Sequence, residues 1–490
     1  MRASIPEQGR DRQRLLEEMD SFVAADADWR GGRVFSLVYH LGEEHEHFLA
    51  RAHALYASAN ALNPMAFKSL RRMEVEVVSM AASLFHGPDE TVGALTSGGT
   101  ESLLVAVQTY RDKARVERPR VRRPEIIVPR TIHPAFDKAA HYFGVKLKKV
   151  EIRADLRADP QAVARAISGR TIAIAASAPQ YPHGVVDPIA EIGVIAEREG
   201  LPLHVDACIG GFILPWLERL GRPIPPWDFR VNGVTSISAD LHKYGYTGKG
   251  ASVLLWRSMA FMRHQFFVAS DWPGGIYVSP SMPGTRPGGP IAASWAALNA
   301  IGADGYLAAA RASIEAVDRL RAGLATIPEV QVLGAPDSTI VAWGARDAKI
   351  DVYAVADRLE ARGWSVDRQQ RPPSVHLTVT ANHAPVVERY LADLRAAIAE
   401  VQQDPTLEKS GSAPMYGMMA KIPLRGMVSA SVRQVMESMY APGKTDPSIE
   451  APRSGGFVGR LVDRYGQQAA DLYDRAQERW KRARSSPKQR

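Results

Sequence analysis

Residues 236–249 are Ser-Ile-Ser-Ala-Asp-Leu-His-Lys-Tyr-Gly-Tyr-Thr-Gly-Lys, and our interpretation of the fold depends on this stretch. An apolar strand is predicted over 234–237, and the pair His242-Lys243 follows it among small polar residues. A lysine at this place suits Schiff-base chemistry, because packing that lowers the pKa of the amine makes it a nucleophile toward carbonyl groups. A His-Lys pair is common in proteins, so its meaning depends on two segments further upstream.

The first upstream segment is a glycine-rich turn, Leu95-Thr96-Ser97-Gly98-Gly99-Thr100-Glu101, which precedes an apolar-periodic run over 102–111. This order predicts a strand, a tight turn and a helix N-terminus. Free backbone N–H groups and the positive end of the helix dipole then face an anion, most often phosphate. The segment is neither a Walker loop nor a G-x-G-x-x-G fingerprint, and an ordinary glycine turn is the alternative.

The second segment ends in a carboxylate, because Asp206 closes the apolar run over 203–205. Ligands of open α/β sheets bind beyond the carboxyl ends of the strands, and a buried aspartate there needs a cationic or hydrogen-bonding partner. The ring nitrogen of pyridoxal phosphate (PLP) is one such partner, and a structural aspartate is the alternative. A phosphate turn, then Asp206, then Lys243 is the layout of fold-type I PLP enzymes, so we predict PLP as the cofactor.

The organisation of the chain agrees with this layout. From about residue 93, strands alternate with helices, which predicts an α/β fold with a mostly parallel sheet covered on both faces. We predict four segments: a helical segment over 1–92, a PLP-binding large domain over 93–300, an α+β small domain over 301–404, and an extension over 405–490 that ends in a basic tail.

Several longer sequence motifs, in the same order along the chain as in one known family, extend this interpretation. They are 72–78 (RMEVEVV), 133–144 (HPAFDKAAHYFG), 178–184 (APQYPHG), 271–277 (DWPGGIY) and 285–289 (TRPGG). With the stretches quoted above, they resemble the sphingosine-1-phosphate lyases, in the group II PLP-dependent decarboxylase superfamily, from about Gly32 to Tyr440. The resemblance implies a fold-type I, aspartate aminotransferase-like structure. Within the family, the chain resembles the soluble bacterial members, which lack the N-terminal membrane anchor of the eukaryotic lyases.

The resemblance also implies roles at a PLP site. Lys243 would form the Schiff base, Asp206 would pair with the ring nitrogen, and His133 would stack on the ring. The remaining cofactor contacts would come from Ser97, Gly98, Gly99, Thr100, His242 and Thr285. Thr285 stands where the family usually has Ser, and it would come from the neighbouring subunit, because these active sites form at the interface of a homodimer. We expect His242 and His204 to position neighbours rather than to transfer protons.

Tyr181 aligns with a family tyrosine near the reacting carbons. It would either move protons during carbon–carbon cleavage or hydrogen-bond the substrate hydroxyl, and the sequence leaves both roles open.

A second anion site is implied for the phosphate of the substrate. Tyr39 and Lys249 match two of its family residues, but Asn63 stands where the family has His. Asparagine carries no charge, and a charge-assisted hydrogen bond is about twice as strong as a neutral one, so phosphate affinity should fall by about 1–2 kcal/mol. His40, next to Tyr39, is a candidate to compensate.

The function implied by the resemblance is PLP-dependent cleavage of sphingosine 1-phosphate. The substrate amine would displace Lys243, and loss of a proton from the neighbouring hydroxyl would break the Cα–Cβ bond in a retro-aldol step. The products are a fatty aldehyde and ethanolamine phosphate. An amino-acid decarboxylase is the alternative, because it would share the Lys, Asp and His. It would need a group, typically Arg, for any retained carboxylate, and Arg286 lies in a motif that both groups have.

The composition indicates the cellular compartment of the protein. The 490 residues contain one cysteine, Cys208, which excludes an intrachain disulfide and fits a reducing compartment. No apolar run approaches the roughly 20 residues needed to span a bilayer, and no signal peptide is evident, so we expect a cytoplasmic protein.

The charge distribution suggests a third possible function. Most of the net charge of +8 lies in residues 475–490, and a non-catalytic binding protein would use this basic tail to contact its partner. The complete set of lysine, aspartate and glycines argues against that function, and we expect neither a nucleic-acid partner nor a metal.

Overall fold

The computed structural model describes residues 4–347, 349–409, 411–413, 416–417 and 425–442. The basic tail over 475–490 lies outside these ranges. The helices are α1 (Arg12–Val23), α2 (Glu43–Leu55), α3 (Lys68–Leu84), α4 (Gly99–Glu117), α5 (Ala135–Phe143), α6 (Pro160–Ala166), α7 (Ile189–Arg198), α8 (Leu214–Arg219), α9 (Met259–Met262), α10 (Gly288–Ala325), α11 (Val352–Glu360), α12 (Val387–Gln403) and α13 (Arg425–Met439).

The strands of the described residues form three sheets. They are β1 (Val92–Thr96), β2 (Glu125–Pro129), β3 (Lys146–Val150), β4 (Thr171–Ser177), β5 (Leu203–Asp206), β6 (Val234–Ala239), β7 (Ser252–Trp256), β8 (Phe267–Ala269), β9 (Tyr277–Ser279), β10 (Val330–Val332), β11 (Ile340–Ala345), β12 (Asp367–Gln370) and β13 (Pro373–Thr378). The large sheet has the order β1-β7-β6-β5-β4-β2-β3, a second sheet has the order β10-β11-β13-β12, and β8 pairs with β9.

The large sheet is mostly parallel, as predicted. Strand β7 pairs antiparallel with β1 and β6, and the remaining neighbours pair in parallel. Strands β1 to β6 therefore end at the same edge of the sheet. The register places Asp206 of β5 beside Ser177 of β4 and Ser238 of β6, so the segments that follow these strands start close together.

Helix α4 is held on the large sheet by its apolar face. Leu103, Val105 and Val107 are buried in one cluster with Phe136 of α5 and Trp256 of β7. This packing fixes the N-terminus of α4, which begins directly after the glycine turn. The glycine turn is therefore anchored on both sides, by β1 and by α4.

The second helix ends earlier than the sequence pattern predicts. Apolar spacing predicts a helix over 43–61, but α2 stops at Leu55. The backbone beyond it hydrogen-bonds to a distant loop instead: Ala61 N–H donates to Arg286 O (2.8 Å), and Gly288 N–H donates to Ala59 O (2.9 Å). Tertiary pairing thus overrides the local helical tendency.

The chain forms two compact units. One contains Trp29–Trp343 and His376–Ala392, and it includes the whole large sheet. The other is built from the described residues within Met1–Asp28, Gly344–Val375 and Asp393–Arg490. The four-segment division made from the sequence stays a prediction.

Candidate active site

A cavity of about 330 Å³ opens where the strands of the large sheet end. Most of the predicted cofactor and catalytic residues line it, namely Ser97, Gly98, Gly99, Thr100, His133, Tyr181, Asp206, His242 and Lys243. These residues lie at or after the ends of β1, β2, β4, β5 and β6, which share one edge of the sheet. The parallel topology therefore brings together side chains that are far apart in sequence.

Lys243 is paired with a carboxylate that the sequence analysis did not identify. Its Nζ lies 2.9 Å from Oδ2 of Asp240, and the Asp240 side chain is only 2% exposed. Burial alone would lower the pKa of Lys243, but the charge of Asp240 outweighs it and raises that pKa. The expectation of a lowered amine pKa is therefore wrong for the isolated chain. The signal that was available is the spacing, since an acid three residues before a lysine can meet it across one turn.

The glycine turn approaches this ion pair closely. A Cβ atom built on Gly99 would lie 2.8 and 2.9 Å from the two carboxylate oxygens of Asp240, and 2.9 Å from Sγ of Cys208. The neighbouring Gly98 has φ +152°, which favours glycine. Only glycines allow this backbone to lie so close to the cavity wall. Among the residues that the structure describes, no side chain caps α4, so its first N–H groups and its dipole are available for an anion such as a phosphate.

Ser97 and Glu101 brace the turn. Glu101 Oε2 accepts hydrogen bonds from both N and Oγ of Ser97 (2.6 Å each), and its Oε1 accepts one from Met282 N–H (2.9 Å). Ser97 thus has a structural contact in addition to its place on the cavity wall.

Asp206 ends β5 with its side chain on the cavity wall, where Oδ1 accepts a hydrogen bond from Cys208 N–H (3.1 Å). His204 lies on the same strand but is buried. Its Nδ1 and Nε2 lie 2.7 Å from Ser236 Oγ and 3.2 Å from Ser238 Oγ. Burial lowers the pKa of His204 to about 4, so it is neutral at pH 7 and suited to a positioning role.

The two residues expected at the substrate phosphate, Tyr39 and Lys249, lie together. The Lys249 ammonium is 5.2 Å from the centre of the Tyr39 ring, and it donates to Leu37 O (2.6 Å) and His242 O (3.3 Å). Burial and the charge of Lys243 lower the pKa of Lys249 to about 8. This second cation is therefore tied to the backbone of His242, a residue of the cavity wall.

In the part of the chain that the structure describes, five predicted residues do not line the cavity: Tyr39, His40, Asn63, Lys249 and Thr285. Asn63 Oδ1 accepts from Met65 and Ala66 N–H (3.1 Å each), so it caps a turn. Nδ1 of His40 is 3.0 Å from Glu46 Oε1, which gives His40 a carboxylate partner. Thr285 Oγ1 lies 3.5 Å from Asn60 Nδ2.

Arg286, the residue left open as a carboxylate ligand, is engaged elsewhere. Its guanidinium forms a buried ion pair with Glu74 and donates to Leu95 O (3.1 Å). Glu74 Oε1 also accepts from Leu95 N–H (3.0 Å). This pair joins α3, β1 and the loop before α10, and within the described residues no arginine lines the cavity.

Comparison with known proteins agrees with this geometry. Residues 2–345 match the family described as the pyridoxal-dependent decarboxylase conserved domain. The chain is therefore a pyridoxal-dependent protein of the fold-type I class, PLP is its cofactor, and the glycine turn, Asp206 and Lys243 fit that group.

The similarity extends to a narrower group. The chain is 43% identical to a sphingosine-1-phosphate lyase of Arabidopsis thaliana, covering 87% of this chain and 79% of that protein. A solved sphingosine-1-phosphate lyase of Burkholderia pseudomallei is 40% identical, with a TM-score of 0.82 over 90% of this chain and 98% of the other. The chain belongs to the sphingosine-1-phosphate lyase family.

A more distant structure shares the fold alone. Glutamate decarboxylase of Lactobacillus brevis is 19% identical, with a TM-score of 0.72 over 82% of this chain and 96% of the other. The predicted α/β fold class is thus confirmed. Among the described residues, no helix combines the length and apolar character needed to cross a membrane.

Proposed function

We propose that the protein is a PLP-dependent carbon–carbon lyase that cleaves sphingosine 1-phosphate to a fatty aldehyde and ethanolamine phosphate. The observation that carries the proposal is the Tyr39–Lys249 pair beside the cavity wall. The Lys249 ammonium gives the protein a second anion-binding site besides the glycine turn. A substrate that carries its own phosphate requires such a second site, because the glycine turn binds the phosphate of PLP.

The chain's own residues supply the cofactor contacts in this proposal. Lys243 would hold PLP covalently, and Asp206 would pair with its ring nitrogen. The N–H groups of Gly99 and Thr100 would bind its phosphate, and His133 would stack on its ring. PLP, when bound, supplies the electron sink for breaking the Cα–Cβ bond.

Two residues would act on the substrate. Tyr181, which lines the cavity, would hydrogen-bond the substrate hydroxyl or accept its proton at the phenol oxygen. The ammonium of Lys249 would bind the substrate phosphate and so align the amino alcohol for cleavage. Asn63 is engaged with Met65 and Ala66, so its part in phosphate binding stays a prediction.

The decarboxylase alternative fits this geometry less well. An amino acid with a second carboxylate needs a cation placed to receive it, typically Arg. Arg286 is buried against Glu74 rather than facing the cavity. The identities of 35–43% to sphingosine-1-phosphate lyases also favour the lyase.

The proposed enzyme is a homodimer, and an exposed apolar hairpin supports this assembly. The two-stranded sheet β8–β9 and its connection expose Phe267 (57%), Val268 (59%), Trp272 (57%) and Ile276 (77%). Exposed apolar side chains gathered in one hairpin often mark a protein–protein interface. The same hairpin borders an apolar cavity of about 840 Å³ against α3. We propose that these surfaces bury against a second copy to form a homodimer. The cytoplasmic location stays a prediction.

The substrate assignment is tested with three amines: sphingosine 1-phosphate, unphosphorylated sphingosine and glutamate. We expect aldehyde from the first, little from the second, and no carbon dioxide from the third. Equal cleavage of both sphingoid bases would contradict the phosphate site, and carbon dioxide release from the amino acid would establish the decarboxylase.

A further inference from the structure

Tyr181 has a partner that lies behind it in the cavity wall. The imidazole of His376, on β13, stacks on the Tyr181 ring with 4.2 Å between the ring centres and 19° between the ring planes. Tyr181 lines the cavity, whereas His376 does not and is fully buried. The two residues are 195 positions apart in sequence, so the contact arises only from the fold.

The His376 ring is held on both of its nitrogen atoms. Nε2 lies 2.9 Å from Oγ1 of Thr378, on the same strand. Nδ1 lies 3.5 Å from the carbonyl oxygen of Pro182, the residue that follows Tyr181. A side chain fixed in this way presents one rigid face to the phenol, because its ring cannot turn without losing both contacts.

We propose that His376 is a positioning residue that sets the orientation of the Tyr181 phenol toward the substrate. The proposal rests on the proposed function, in which Tyr181 contacts the substrate hydroxyl. Stacking on a fixed ring restricts the phenol to one plane, and such alignment affects the chemical step more than it affects substrate binding.

The surroundings support an orienting role for this ring. His183 faces the same cluster and is buried, and its Nδ1 lies 3.0 Å from Gln180 Nε2. Burial, with a contribution from His376, lowers the pKa of His183 to about 4, which leaves it uncharged at neutral pH. His183 is thus a buried, uncharged neighbour of the His376 ring.

The test uses His376→Leu, which removes the ring, and His376→Phe, which keeps a ring for stacking. The matched control is His383→Leu, because His383 is also buried and stacks on Phe35 with 4.4 Å between ring centres, away from the cavity. We expect His376→Leu to lower kcat about three- to tenfold with KM nearly unchanged. His376→Phe keeps the stacked ring but loses the two nitrogen contacts, so it should recover only part of kcat. His383→Leu should retain the wild-type kcat.

A double-mutant cycle identifies the residue through which His376 acts. In a Tyr181→Phe background, His376→Leu should cost much less than in the wild type, because both changes disturb the same phenol. Equal losses in both backgrounds would overturn the proposal, as would a loss of kcat in His383→Leu as large as that in His376→Leu.

A readout without turnover separates this inference from the substrate assignment. In protein labelled with fluorotyrosine, the Tyr181 ¹⁹F signal is identified by its absence in Tyr181→Phe. We expect that signal to shift in His376→Leu, and to stay in place in His383→Leu. An unshifted signal in His376→Leu would refute the positioning role even if the wild type cleaved no sphingoid base. A missing wild-type activity with a shifted signal would refute only the proposed function.

Discussion

The substitution Gly99→Ala tests the phosphate end of the cofactor site. The added Cβ would lie 2.8–2.9 Å from both Asp240 oxygens and from Cys208 Sγ, which is well inside ordinary contact distances. Asp240 has little freedom to retreat, because it is buried and paired with Lys243 at 2.9 Å. Such overpacking typically costs about 1–3 kcal/mol. The turn can relieve it only by moving its N–H groups out of the position that binds phosphate, so we expect PLP to bind about 5- to 150-fold more weakly.

The assay is a titration of cofactor-stripped protein with PLP, followed by the visible absorption of the lysine-bound cofactor. Gly248→Ala is the matched control, because it lies near Lys243 in sequence and a Cβ there would meet no atom within 4 Å. Thermal unfolding of both stripped proteins shows whether the fold itself has changed. If Gly99→Ala bound PLP as tightly as the wild type, the close approach of this turn to the cofactor phosphate would be refuted.

Three further predictions concern the binding of the substrate phosphate, the buried ion pair between Glu74 and Arg286, and the dimer interface. Lys249→Met should lower kcat/KM for sphingosine 1-phosphate about 10- to 100-fold at pH 7, because it removes a charged hydrogen-bond donor. In the wild type, kcat/KM should fall as the pH rises through about 8, where Lys249 loses its proton, and a pH profile should show that this step is absent in Lys249→Met. Glu74→Ala should lower the free energy of unfolding by about 3–5 kcal/mol, because it leaves Arg286 buried without its partner; an unchanged melting temperature would contradict this role. Ile276→Asp should yield monomers in sedimentation experiments. Val194→Asp, which alters an exposed residue of α7, should remain dimeric. If both variants were dimers, the hairpin would not be part of the dimer interface.

The position of the site could be predicted from sequence because it depends on strand ends. The apolar runs before Gly98, Asp206 and Lys243 end at the residues that line the cavity, and parallel strands bring such ends to one edge. The helical character of the segment over 1–92 was likewise predictable from its apolar spacing, and α1, α2 and α3 lie in it.

The electrostatics of the site could not be predicted in the same way. The pKa of Lys243 depends on whether Asp240 turns toward it, and that is set by the loop after β6 rather than by a periodic pattern. The stacking of His376 on Tyr181 and the pairing of residues 59–61 with residues 286–288 join distant segments, for which a single sequence contains no local signal.

Asn63 has a local structural role that the family pattern does not indicate. Comparison with the family pattern predicts a weaker phosphate site, but the structure also gives Asn63 a local task, since its Oδ1 caps the turn at Met65 and Ala66.

The central claim is tested most directly by incubating the purified protein, and its Lys243→Ala variant, with sphingosine 1-phosphate. We predict that the wild type carries the visible absorption band of lysine-bound PLP and releases fatty aldehyde and ethanolamine phosphate in equal amounts. The variant should show neither the band nor the products. Bound PLP without any cleavage by the wild type would contradict the substrate assignment, and cleavage by Lys243→Ala at the wild-type rate would contradict the role of the lysine.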